Sequence, residues 1–243
     1  MPNSDRSVNI GMVNELAMMC DLLGVDVYEV IDAAATKPFG FSAFYPGPGL
    51  GGHCIPIDPH YLAWKLKALN FQARFIGLAA EINGMMPNIV ADMVSDGLNR
   101  FSKSVRGSNI LIMGVAYKKN VSDCRESPAL DVMRLLSDKG ANLAYNDPFV
   151  PSLRLGGSVL QSIEATPATI AKHDCVVILT DHSDYDVRQI VDSAKLVIDT
   201  RNMTKNIQDH KERVIKLGAG NNVPSFSTHD DSHDLPKKKA AAH

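Results

Sequence analysis

The chain has 243 residues, 45% of them hydrophobic and 21% charged, and a formal net charge of −2 at pH 7. It can therefore bury a core, as one large or two small domains, and its near-neutral balance argues against a general nucleic-acid binder. Four cysteines at irregular positions behind a polar start fit a reducing, cytoplasmic compartment rather than a disulfide framework, and neither a targeting peptide nor an apolar run approaching the ~20 residues of a membrane span is visible.

Helical spacing begins at once. Val8, Ile10, Met12, Val13, Leu16, Met19, Cys20, Leu22 and Leu23 predict a helix ended by Gly24, and Asp26 caps a second over 27–35. A glycine- and proline-rich stretch follows, Tyr45-Pro46-Gly47-Pro48-Gly49-Leu50-Gly51-Gly52-His53-Cys54-Ile55-Pro56-Ile57-Asp58-Pro59-His60-Tyr61-Leu62, running into a further helix near Tyr61 to Trp64. Phe75, Leu78, Ile82, Met85, Ile89, Met93, Val94 and Leu98 then form a stripe predicting a long helix over 75–101, kinked or broken at Pro87. Its methionines read as core or subunit contact, not as a cofactor box.

From Ser108 the pattern becomes α/β. Short apolar runs at 110–115, 142–146, 175–180 and 196–199 suit buried parallel strands, separated by helical stretches near 130–139, 167–172 and 187–191, with Ser127-Pro128 opening the first of these helices. This alternation predicts a doubly wound parallel sheet with ligands at the carboxyl ends of its strands. Residues 226–243, rich in His and Asp and then in Lys, read as a disordered tail.

The candidate chemistry starts at Cys54. Cys20 and Cys175 sit in apolar runs, where a free thiol behaves as a small hydrophobe. Cys54 instead lies among glycines, prolines and His53 at the mouth of a helix, surroundings that favour a thiolate nucleophile over a core residue. Zinc is the weaker alternative and no metal is expected, since His53, Cys54 and His60 lack the paired spacing of a structural site. A cysteine hydrolase is weaker still, because no partner for a Cys-His pair is identifiable.

At the sheet, Gly114-Val115-Ala116-Tyr117-Lys118 replaces the usual Gly-x-Gly-x-x-Gly, so a ligand other than a dinucleotide is implied. Lys118, Arg125 and Arg201 fall near strand ends. Each cation alone reads as solvated surface, and their shared edge suggests a diphosphate.

The run from Thr36-Lys37-Pro38-Phe39-Gly40-Phe41 through Gly51-Gly52-His53-Cys54-Ile55-Pro56-Ile57-Asp58-Pro59 resembles the nucleophile loop of the UDP-glucose/GDP-mannose dehydrogenase family, within it most the branch acting on UDP-N-acetylhexosamines. The glucose and mannose branches typically carry Lys-Asp after the cysteine and no His before it. The resemblance continues through Asn109 to Ala129 and on to Asp199-Thr200-Arg201. It implies an α/β chain in which a central all-helical dimerisation region, 1–104, carries the cysteine loop and a Rossmann-like UDP-binding domain, 105–225, follows. By the same resemblance, the family's N-terminal NAD-binding Rossmann domain is expected to be missing from these 243 residues.

By the same resemblance Cys54 is the nucleophile of an NAD-dependent two-step oxidation of the sugar C6 alcohol to a uronic acid, through a thioester, for polysaccharide biosynthesis. Asp58 and Asn3 assist at the same centre. Tyr45, Gly49, Gly51, His53, Tyr117, Lys118 and Arg201 contact the UDP-N-acetylhexosamine, Arg125 faces the cofactor, and the long helix builds a homodimer. The family's catalytic lysine, four residues before Asn3, would precede Met1. The resemblance leaves open a catalytically inactive homologue that binds UDP-sugar or dimerises, and the choice between the glucosamine and mannosamine epimers.

Overall fold

Residues 1–220 are described by a computed structural model, so the expected tail over 226–243 and the last five residues of the 105–225 region lie outside the described residues. Helix α1 (Pro2–Leu23) ends where Gly24 turns left-handed at φ 71°, and α2 (Val27–Ala35) starts at Asp26, whose carboxylate accepts the Tyr28 N–H. Helix α3 (Asp58–Lys67) begins three residues earlier than the Tyr61 expected from the apolar cluster. Cys54 O accepts the Asp58 N–H at 2.8 Å, so the helical path already starts at the cysteine.

Helix α4 (Arg74–Arg100) is continuous through Pro87, so of the kink or break expected there the break does not occur. Proline at 87 removes the donor that would satisfy the Asn83 carbonyl. That carbonyl faces the glycine loop, where a Cβ on Gly49 would lie 3.2 Å from it. The expected α4 stripe splits as well. Ile82, Met93, Val94 and Leu98 are buried, whereas Phe75, Leu78 and Met85 stand exposed, as do Met12 and Met19 of α1.

The sheet is parallel throughout, ordered β2 (Asn142–Asn146), β1 (Asn109–Met113), β5 (Cys175–Ile178), β6 (Val197–Asp199), β7 (Val214–Lys216). Period-two alternation divides it. Ile110, Ile112, Cys175, Val177 and Ile198 face one core with α4 and α5 (Pro128–Asp138), while Leu111, Met113, Val176, Ile178 and Val197 face the other with α6 (Pro167–Lys172) and α7 (Val187–Ser193). Helices on both faces make the doubly wound arrangement expected. Ser127 opens α5 without a side-chain capping bond, so its expected capping role is not realised.

Three strands were not anticipated. β3 (Ser152–Leu155) and β4 (Ser158–Gln161) form a hairpin through Gly156-Gly157, both at positive φ, and β7 closes the sheet edge.

Two features join the helical part to the sheet. The first is α4, which packs against α1 and also lays Met86, Val90, Val94 and Leu98 into the sheet's core. The second is a staple at the far end of the chain. Asp21 accepts the N–H groups of Gly218 and Gly220, the Val27 N–H reaches Gly218 O at 2.7 Å, and Lys216 pairs with Asp26 at 2.7 Å.

Candidate active site

Two buried asparagines seat the glycine loop. Asn14 on α1 donates to Asn83 on α4 at 2.8 Å and accepts the Gly47 N–H at 2.9 Å, while Asn83 donates to Ser7 O. Inside a core such amides are costly unless paired, so the pair fixes the loop's entry against both helices. The glycines then allow close approach to the sheet. A Cβ on Gly51 would lie 2.7 Å from Tyr117 Cβ and 2.8 Å from Glu126 O, and one on Gly52, at φ 98°, would lie 2.9 Å from the Tyr117 ring. The Gly52 N–H donates to Arg125 O at 3.1 Å, tying the residues before Cys54 to the loop after β1.

Cys54 emerges from this seat exposed, with His53 Nδ1 3.6 Å from its Sγ. Asp58, the first residue of α3, accepts a 2.6 Å hydrogen bond from Asn3 on α1, so the fold joins two expected site residues 55 positions apart. The other thiols differ. Cys20 and Cys175 are buried and burial pushes both thiols up, while half-buried Cys124 is pushed up to about 11 by desolvation and the nearby Asp147 and Asp123. Arg125 forks onto Asp123, at 3.0 Å from Nε and 2.7 Å from Nη2, and holds that carboxyl below the usual range.

Arg201 sits elsewhere on the same sheet edge. It reaches Asp181 at 3.3 Å, lies against Gly47 so closely that a Cβ there would collide with its guanidinium, and lines a cavity of about 460 Å³ with Arg6, Tyr28, Tyr45, Asp181 and Lys205. Tyr45 stacks on Tyr28 at 6.0 Å and donates to Asp32. Of the three cations expected to converge on one edge, only Arg201 lines this cavity; Lys118 and Arg125 do not.

A buried dyad beneath the Tyr117–Lys118 turn was not foreseen. Asp147, at the end of β2, accepts the N–H groups of Val115 and Ala116, and His182 Nε2 lies 3.0 Å away on the same carboxylate oxygen. Burial alone would raise the Asp147 pKa; the bonds from His182 and from the backbone N–H groups of Val115, Phe149 and Ala116 hold it below the usual range. The sequence signals, Asp147 and His182 each just past a strand, were present without a reason to pair them.

Residues 1–85 match the model of the UDP-glucose/GDP-mannose dehydrogenase family, central domain, and residues 111–206 match that of its UDP binding domain. The chain belongs to this family.

Among the dehydrogenases it resembles, it is 36% identical over 214 residues to the UDP-N-acetyl-D-mannosamine dehydrogenase of Methanococcus maripaludis strain C7, covering 85% of this chain and 47% of that protein. It is 35% identical over 205 residues to the NDP-N-acetyl-D-galactosaminuronic acid dehydrogenase of Ralstonia solanacearum, covering 83% and 46%. The solved UDP-D-ManNAc dehydrogenase of Pyrococcus horikoshii superposes with a TM-score of 0.78 at 30% identity, over 90% of this chain and 50% of that one. The chain thus spans about half the length of the curated relatives it matches. The dehydrogenase central region holds Asn3, Cys54 and Asp58, and the UDP-binding region holds Tyr117, Lys118, Arg125 and Arg201.

Proposed function

We propose that this chain is the thiol-bearing and nucleotide-binding part of a UDP-N-acetylhexosamine 6-dehydrogenase. The observation that carries the reading is the exposed Cys54 one helical turn before an Asp58 already bonded to Asn3, on a loop seated directly on Tyr117. Family membership and relatives named for N-acetylated sugars support it.

In this reading Cys54 Sγ holds C6 of the sugar as a thioester, reached by oxidation of a thiohemiacetal, whose tetrahedral carbon can give up a hydride as its hydroxyl loses a proton and becomes the thioester C=O. Asp58, kept in place by the Asn3 amide, orients and deprotonates the water that breaks the C–S bond. Tyr117, Lys118, Arg201 and the Tyr45 to Gly51 segment take the nucleotide half of the substrate, and His53 contacts the sugar or tunes the thiol. Apolar residues exposed on α1 and α4 favour a contact between two copies of the chain.

NAD, the family's oxidant, would supply the hydride acceptor. The described sheet does not fit it, since Asp147 occupies the N–H groups of Val115 and Ala116 that a dinucleotide pyrophosphate would need. The share of the reaction assigned to these residues is therefore the covalent and hydrolytic part, and Arg125, forked onto Asp123, is the residue that would face a cofactor. With no dinucleotide turn at this sheet, the purified chain is expected to show no NAD reduction when given a UDP-sugar.

The test is alkylation of the folded chain followed by mass spectrometry. Cys54 should react well ahead of Cys20 and Cys175, and UDP-N-acetylglucosamine or its mannosamine epimer should slow it more than UDP-glucose does. Protection by UDP-glucose alone would remove the N-acetylhexosamine assignment, and a Cys54 slower than the buried pair would remove the nucleophile.

A further inference from the structure

The dyad of Asp147 and His182 takes part in no step above, yet both side chains are wholly buried and each of their nitrogens and oxygens is engaged. Asp147 Oδ2 takes the Val115 N–H at 2.8 Å and the Ala116 N–H at 3.0 Å, so it fixes the start of the turn after β1. His182 Nδ1 takes the Asn120 N–H at 2.9 Å and fixes its end. An Nδ1 that accepts an N–H carries no proton, which leaves the ring hydrogen on Nε2, pointing at Asp147 Oδ2 3.0 Å away. One hydrogen bond therefore joins the two ends of the turn through the core.

What lies between the clamped ends is Tyr117, Lys118 and Lys119. The surroundings reinforce the clamp. Thr180 Oγ1 donates to Ala116 O at 2.6 Å, and Asn120, held at φ 59°, exchanges side-chain bonds with Ser183 at 2.9 and 3.0 Å. The rings of Phe149 and Tyr185 close on the imidazole at 5.0 and 5.4 Å. An apolar side chain in the same space would leave the Asn120 N–H without its acceptor and Asp147 Oδ2 without the ring hydrogen, so the imidazole is placed for its two nitrogens.

We propose that His182 is a positioning residue for nucleotide binding: clamped by Asp147, it holds the Asn120 end of the turn in the conformation that presents Tyr117 and Lys118 to a nucleoside diphosphate. This rests on the reading of Tyr117 and Lys118 as nucleotide contacts. The arm that matters is the Nδ1 acceptor, since of the two ring nitrogens it is the one that reaches the end of the turn next to the lysines.

The experiment is calorimetric titration of UDP into the 243-residue chain and into Lys118→Ala, His182→Ala, His182→Asn and His182→Gln. An asparagine amide oxygen falls near Nδ1 and keeps an acceptor for Asn120, whereas a glutamine amide falls near Nε2 and keeps only the Asp147 contact. His182→Ala should bind UDP about tenfold more weakly, His182→Asn should recover most of that loss, and His182→Gln should not. Nitrogen-15 NMR of the unsubstituted chain, which needs no variant to fold, should show the ring protonated at Nε2 and the Asn120 amide protected from exchange. Wild-type affinity in Lys118→Ala would overturn the nucleotide reading of the turn and the positioning role with it. Weak binding by Lys118→Ala beside wild-type binding by His182→Ala, recovery by glutamine equal to that by asparagine, or an Nδ1–H ring would overturn the positioning role alone.

Discussion

Gly51 and Gly77 show what a missing side chain does at two kinds of position. At Gly51 a methyl would meet Tyr117, Glu126 O and Pro128 all within 2.9 Å, so Gly51→Ala should destabilise the chain by ~1–3 kcal/mol in urea titration, as overpacking does. At Gly77, inside α4 with nothing within 4 Å of the added carbon, Gly77→Ala should stabilise it by ~0.5–1 kcal/mol, because the unfolded chain loses freedom. At the proposed nucleotide site, Lys118→Ala or Arg201→Ala should each weaken UDP binding by ~1.5–3 kcal/mol in calorimetric titration, the worth of a charge-assisted hydrogen bond. Cys54 stood out in the sequence because glycine, proline and histidine cannot build a core around it. The packing of Gly51 and Gly52 against Tyr117 did not, since a glycine's letter reports conformational freedom and not the neighbour that needs its space. His182 was silent for a similar reason. A lone histidine after an apolar strand gives no sign that a backbone N–H and a carboxylate converge on it.

The elements read from the sequence were those whose pattern is local and long. α2, β2 and α6 were expected where they lie, because Asp26 caps α2, Pro167 opens α6, and asparagines bound the apolar Leu143-Ala144-Tyr145 of β2. The strands β3, β4 and β7 escaped notice because three or four residues with a half-exposed pattern carry too few alternations to register, although Gly156-Gly157 is a turn signal. Carboxylates at element ends also give the fold a pH profile. Asp174 accepts from Lys103 at 2.7 Å and from the first N–H of β1 at 3.0 Å, and although burial opposes it, these bonds hold its pKa below the usual range, as those of Asp147 do. A depressed folded-state pKa stabilises above the unfolded value of roughly 4 and ceases to as the pH falls through the folded value. Burial pushes Asp21 the opposite way, which subtracts from stability above that range. The denaturation midpoint should therefore fall steeply below about pH 4. In Asp147→Asn that fall should be shallower, from a lower starting stability; a midpoint insensitive to acid in the unsubstituted chain would contradict the assignment.

Over the whole molecule, α4 shares its length between the α1 contact and the sheet, and the Asp21 staple joins residues 197 positions apart. Neither joint was legible in the sequence, because a hydrogen bond across that separation leaves no periodicity. With both in place the helical part and the sheet should melt together, giving a calorimetric enthalpy equal to the van't Hoff value; two resolved transitions would show that the joints do not couple them. The bond from the Gly52 N–H to Arg125 O has a consequence of another kind. It sets the reach from the Tyr117–Lys118 turn to Cys54 by backbone, so in the proposed enzyme the turn and the thiol act as the two marks of a ruler. A uridine diphosphate sugar would span them with its C6 at the sulfur, whereas shortening the linkage to a monophosphate would shift C6 by the length of a whole phosphate. The chain would then select its substrate by distance as well as by the groups the sugar displays, rejecting the right sugar on the wrong length of phosphate.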